Sequence, residues 1–120
     1  MKQHVKSFKA LADPSRIRTL KMLEEGPLCV CEIAYVLGLA ASTVSKHLSI
    51  LKEADFIVDE KEGKWVNYRL NPDPEKPANC ELLNMMQRTL TADETIQSDR
   101  DKMRSADRTV LCAGLSGSTN

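Results

Sequence analysis

Apolar residues along the first half of the chain recur at helical spacing in four short blocks. Val5, Phe8, Leu11 and Ala12 form the first. Asp13-Pro14 then supplies an N-cap followed by proline at the first helical position, so a second helix starts there. That helix carries Ile17, Leu20 and Leu23 on one face and stops at Glu25-Gly26-Pro27. A third, from about Cys31 to Leu37, presents Ile33, Val36 and Leu37 and ends at Gly38. The fourth begins near Ala41 and repeats Val44, Leu48 and Leu51 at i, i+4 and i+7. Two short helices joined by a tight glycine turn predict a helix-turn-helix.

The period then changes. Ile57-Val58-Asp59-Glu60 leads to a tip at Lys61-Glu62-Gly63-Lys64, and Val66, Tyr68 and Leu70 alternate on the return, which predicts a β-hairpin. After the loop from Asn71 to Pro77, Leu82, Leu83, Met86 and Leu90 mark the apolar stripe of a fifth helix. Charged residues thicken from Asp93 to Arg108, and residues 109–120 are Gly/Ser/Thr-rich without periodicity. The predicted organisation is one mainly α domain with a β-hairpin over residues 1–104, followed by a flexible tail over 105–120.

Charge refines this picture little. The chain is neutral overall, with 17 basic and 17 acidic residues, which by itself argues against phosphate binding. Residues 1–70 are net +2 and the remainder net −2. The longest apolar stretch, Ile33 to Ala41, is about half of what a bilayer span needs. The opening MKQHVKSFKALAD returns to lysine before a secretory apolar region can build, so a cytoplasmic location is expected. The cysteines at 29, 31, 80 and 112 lack framework spacing, and in a reducing compartment metal binding or reactivity is expected ahead of structural disulfides.

The strings LADPSRIRTL, LCVCE, TVSKHLSIL and EGKWVNYRL, in this order between about residues 5 and 71, resemble the ArsR/SmtB family of metal-responsive repressors, and within it the arsenic-responsive members. The resemblance implies a winged helix-turn-helix homodimer joined through its first and last helices. Val5, Phe8, Leu82, Leu83, Met86 and Leu90 are the apolar positions compatible with that contact. It further implies binding to an inverted-repeat operator when empty, with no cofactor needed for DNA binding, and release on capture of As(III) or Sb(III). Three positions depart from the family pattern. Ala40 stands where a serine commonly caps the recognition helix, Asp55 where a glycine closes it, and Ala34 where some arsenic-responsive relatives carry a third cysteine.

An α-helix fits the major groove, and short polar side chains on its N-terminal half reach base edges. Ser42, Thr43, Ser45 and Lys46 are the candidates, with Ser49 on the same polar side. His47, at the edge of the apolar stripe, either orders helix packing or contacts phosphate. Lys61 and Lys64 flank the hairpin tip, where they either meet DNA or keep the surface solvated.

Cys29 and Cys31 sit at the start of the third helix, where the dipole favours thiolate and soft ions are captured. Were both fully helical, their side chains would point about 200° apart, so shared ligation requires a first turn that is non-helical or unwinds. With Ala34 in place, a third arsenic ligand must come from Cys80, Cys112, a partner-chain thiol, or an exogenous thiol or hydroxide. Cadmium or lead is the alternative inducer on the same fold, with Glu32 or water assisting. A thiol redox switch is another alternative. Two histidines, no phosphate loop and no evident nucleophile–base pair predict no enzyme. An interaction module that dimerises without DNA would also suit the neutral charge.

Overall fold

A computed structural model of the chain describes residues 1–107, 110 and 111. Its elements run α1 (Lys2–Leu11), α2 (Pro14–Leu23), α3 (Val30–Leu37), α4 (Ala41–Glu53), β1 (Ile57–Glu62), β2 (Trp65–Leu70), α5 (Pro77–Arg88) and α6 (Glu94–Ser105). The four helical blocks and the hairpin read from the sequence are all present, within a residue or two at their ends.

Local chemistry explains most of the boundaries. Asp13 caps α2, its carboxylate accepting from Ser15 N at 2.8 Å and Arg16 N at 3.2 Å. Gly38 ends α3 in the left-handed region at φ 68°, where a side chain would be strained, and the chain bends by 110° into α4. Ala40, at the α4 N-cap, offers no side-chain hydrogen bond.

Asp55 is left-handed at φ 71°, and its side chain accounts for its presence. It accepts from Asn71 Nδ2 at 3.0 Å and from Glu75 N at 2.9 Å, tying the end of α4 to the loop beyond the hairpin. The hairpin pairs antiparallel from Ile57↔Leu70 to Glu62↔Trp65, so the strands extend further than expected and the tip contracts to Gly63-Lys64.

One apolar cluster holds the helices together, centred on Leu20, Ile33, Val36, Leu48, Leu51 and Phe56, each 1% exposed or less. Polar groups complete the framework at three buried points. Asn79, fully buried on α5, accepts from Ser7 Oγ at 2.8 Å and donates to Ala54 O at 2.6 Å, linking α1 and α5 to the end of α4. Lys21, 1% exposed, donates to Met86 O at 2.6 Å and Thr89 O at 2.9 Å, bonding carbonyls at the C-terminal end of α5. Arg18 meets buried Asp99 through two bonds of 2.9 and 2.8 Å, and Arg100 meets Glu24 at 3.1 Å.

The last pairs reveal α6, which hydrophobic spacing did not predict. Its apolar contribution is sparse, with Ile96 buried and Met103 partly so, and charge pairs to α2 replace the missing stripe. The fifth helix also ends earlier than its apolar stripe suggested. Thr89 leaves helical geometry, and Leu90 sits in the following loop at φ 64°. Of the stretch expected as a tail, Ser105 closes α6 and Val110 and Leu111 are helical, Leu111 N donating to Asp107 O at 2.9 Å. Among the described residues no single helix is long and apolar enough to cross a membrane.

Candidate nucleic-acid interface and thiol site

The fold turns α4 so that Val44, Leu48 and Leu51 are buried while Ser42, Thr43, Ser45, Lys46 and Ser49 are all exposed. These five candidates therefore share the open side of one helix. Two contacts that the sequence did not reveal hold that helix in place. Arg16 donates through Nε to Ala10 O at 2.8 Å and through Nη2 to Lys9 O at 3.2 Å, while Nη1 approaches His47 Nδ1 at 3.1 Å. Since a guanidinium can only donate, His47 Nδ1 is the acceptor in this contact. His47 thus packs α4 against the α1–α2 corner. At the other end, Lys52 pairs with Asp59 at 2.8 Å, joining α4 to β1 and raising the Lys52 pKa.

On the hairpin, Lys61 and Lys64 are exposed, and Lys64 Nζ lies 5.1 Å from the Trp65 ring centroid. The apolar candidates for a subunit contact divide. Leu83 and Met86 are 8% and 5% exposed and face inward, so their side chains pack within the chain. Val5 and Phe8 remain open at 43% and 56%, joined by Met85 at 43%, with Leu82 half-buried. Phe8, Leu82 and Met85 line a cleft of about 450 Å³ between α1 and α5, with His4 and Arg88 at its polar margin. Leu90, 40% exposed, borders a separate cleft at the α1–α2 corner.

Cys29 and Cys31 are both buried, but they differ in backbone state. Cys29 is the α3 N-cap, extended at φ −93°, ψ 169°, and Cys31 lies in the first helical turn. The arrangement in which both are helical and opposed is therefore absent. Cys29 and Glu32 form a reciprocal capping box: the Glu32 amide faces the Cys29 sulfur, and Glu32 Oε1 accepts from Cys29 N at 2.9 Å.

The expectation of a thiolate stabilised by the helix terminus is corrected here. Burial pushes the Cys29 thiol up and outweighs the lowering effect of the Glu32 amide, with the Glu32 carboxylate adding to the rise. The expectation that the cysteines stay out of disulfides is corrected at Cys31. Cys29 and Cys80 are free thiols, Cys80 exposed, whereas Cys31 is disulfide-bonded. Cys31 lines a cleft of about 200 Å³ with Ala34, Tyr35, Leu39 and Leu111.

Cys80 lines a different groove, beside Leu70 and Pro74, away from the residues that surround Cys31. Cys112 lies outside the described residues. Among the described residues no three His, Cys, Asp or Glu side chains cluster so as to hold a metal ion.

Residues 13–58, from the α2 cap to the start of the hairpin, match the bacterial regulatory proteins of the arsR family. The arsenical resistance operon repressor of Bacillus subtilis is 35% identical over 72 residues, 59% of this chain and 69% of that protein. The chain belongs to the arsR family. Within the family it is similar to the arsenic resistance transcriptional regulator ArsR1 of Pseudomonas putida, at 48% identity over 67 residues, 55% of this chain. The chain spans about half the length of that relative, 52% of it being matched. The arsR-family architecture is also that of the homodimeric winged helix-turn-helix DNA-binding domain Mb0332 from Mycobacterium bovis. That structure aligns with a TM-score of 0.62 at 28% identity, over 72% of this chain and 77% of its own.

Proposed function

We propose that the chain is a homodimeric transcriptional repressor that binds an inverted-repeat operator through α4 and releases it when trivalent arsenic, or antimony, binds Cys29 and Cys31. The observation that carries this reading is the double role of Cys29: the sulfur that would bind the ion is also the N-cap of α3. A ligand on that sulfur competes with the Glu32 amide; an oxygen cap is worth about 1 kcal/mol and a thiol sulfur, a weaker acceptor, less. Drawing Cys31 toward the same centre disturbs the first turn further.

Helix α3 packs against α4, so the disturbance falls on the helix that presents Ser42, Thr43, Ser45 and Lys46. A hundredfold loss of operator affinity needs about 2.7 kcal/mol of coupling, the scale of a lost cap plus a deformed turn. The exposed α4 face, the hairpin lysines and the similarity to arsenic resistance regulators support DNA as the partner. The open Val5, Phe8 and Met85 side chains along α1 and α5 support a second copy of the chain at that face.

Fluorescence anisotropy of the reduced protein on DNA from its own promoter, titrated with arsenite, tests the reading. Release is expected for the parent and not for Cys29→Ser/Cys31→Ser. Persistent binding by both would remove arsenic as inducer.

The Cys31 disulfide supports a second reading, an oxidant-responsive repressor in which the thiol state itself sets operator affinity. Release by peroxide without arsenite, reversed by a thiol reductant, is its signature.

A further inference from the structure

We propose that the cleft between the α1–α2 corner and the start of α6 is an effector site for a small amphipathic organic cation, an arylalkyl or alkyl amine. Such a site stands apart from the cysteines, and only its effect on DNA depends on the repressor reading.

Leu11 and Pro14 at the corner, Ile17 on α2 and Ile96 on α6 line a cleft of about 380 Å³, within the range of about 300–1,000 Å³ that small-molecule sites occupy. A further apolar wall is Leu90, 40% exposed and left-handed at φ 64°. That backbone region costs a leucine free energy. The turn that holds it there is closed by Asp93 N donating to Leu90 O at 3.1 Å, which sets Leu90 and Asp93 on the same rim. An exposed leucine held in a strained turn beside an open cleft is explained by a ligand that covers it.

Charge decides what that ligand carries. Asp13 and Asp93 both line the cleft, and each uses one oxygen as an N-cap. Asp13 Oδ1 accepts from Ser15 N and Arg16 N, and Asp93 Oδ1 from Thr95 N at 2.9 Å and Ile96 N at 3.2 Å. Asp13 Oδ2 meets Arg16 only at 3.9 Å, and Asp93 Oδ2 takes no hydrogen bond among the described residues. Arg18, the cation in the lining, is held by Asp99 at 2.9 and 2.8 Å. The rim is therefore net negative over an aliphatic floor, which complements an ammonium on an apolar body and disfavours a carboxylate.

The same corner reaches α4. Arg16 spans Lys9 O, Ala10 O and His47, so an ammonium drawn to Asp13 competes for the carboxylate that flanks this clamp.

The test uses the full chain without DNA, with 4-phenylbutylamine as probe and 4-phenylbutanol and 4-phenylbutyrate as its neutral and anionic counterparts. Binding is read by calorimetry and by NMR shifts of the Leu90 and Ile96 methyls. The amine is expected to bind at least about threefold more tightly than the alcohol, with the butyrate weakest and the preference shrinking as salt is added. Asp13→Asn/Asp93→Asn keeps both caps, since asparagine caps as well as aspartate, and should bring amine and alcohol level. Leu90→Gly removes the wall and suits the left-handed backbone, so the amine should weaken at least about fivefold without loss of thermal stability.

Operator affinity, measured by anisotropy with the amine at saturation, is expected to fall at least about fivefold. Amine binding that leaves it unchanged would overturn the effector role. Equal binding of all three probes would overturn the charge assignment. No binding of the amine would overturn the site, and methyl shifts that follow protein concentration instead would give the cleft to a second copy of the chain. Failure of the unliganded protein to bind its operator would overturn the repressor reading and not the site, because the ligand is read without DNA.

Discussion

Lys21→Met is the perturbation that most directly tests how α5 is held. The lysine side chain is 1% exposed and serves three oxygens: Met86 O at 2.6 Å, Thr89 O at 2.9 Å and Glu24 Oε1 at 2.9 Å. Methionine replaces most of the aliphatic stem, so the cost lies in the polar end. Glu24 keeps Arg100 at 3.1 Å and is not left uncompensated, which separates this case from a buried pair broken to a lone charge. Met86 O lies in a buried bond and loses one of two donors, keeping the Thr89 amide at 3.2 Å, while Thr89 O is part-buried and water recovers some of its loss. The sum is about 1–3 kcal/mol.

Urea unfolding at fixed protein concentration, necessary for the proposed dimer, should show the midpoint falling by about 0.5–2 M with unchanged slope. A loss under about 0.5 kcal/mol would refute the reasoning, because desolvation of the ammonium would then cancel its bonds.

Arg16→Lys keeps the charge but loses the planar fork that spans Lys9 O, Ala10 O and His47, so operator affinity measured by anisotropy should fall about tenfold; unchanged affinity would remove the clamp from the account. Ala40→Ser supplies the missing α4 cap and should raise unfolding stability by about 1 kcal/mol in urea titrations.

With its pKa raised by burial, Cys29 stabilises the fold fully below the ordinary thiol value, and that contribution is lost as pH climbs through the folded one. Iodoacetamide should accordingly label exposed Cys80 well before Cys29 at neutral pH, the Cys29 rate rising only above the ordinary thiol range; equal rates at neutral pH would contradict burial as the dominant effect. Asp55→Gly relieves the left-handed backbone but forfeits the bonds to Asn71 and Glu75. Calorimetry should show a net loss of about 1 kcal/mol, and a gain would assign the position to backbone strain alone.

The sequence by itself determined what short-range chemistry controls. Asp13-Pro14 set the start of α2, Gly38 the turn between α3 and α4, and the switch from helical to alternating spacing at Ile57 the hairpin. The open side of α4 followed from Val44, Leu48 and Leu51, because a 3.6-residue period fixes the opposite face once one face is known. Asp55 was legible as a residue standing at a glycine position, though not as the acceptor for a loop sixteen to twenty residues away.

Only the tertiary structure decided the rest, because it depends on partners distant in sequence. Helix α6 has too few apolar residues to announce itself, and Arg18 and Glu24, at α2 and its C-terminal end, had to be brought beside its Asp99 and Arg100. Nothing in the sequence marks Lys21, because the Met86 and Thr89 carbonyls that hold it come from α5 and its end, more than sixty residues away. Leu83 and Met86 read as an outward stripe and turned inward, since periodicity defines a face without saying what it meets. For Cys29 position and dipole were legible in the sequence, but the sign of its pKa shift belongs to burial, a property of the packed core.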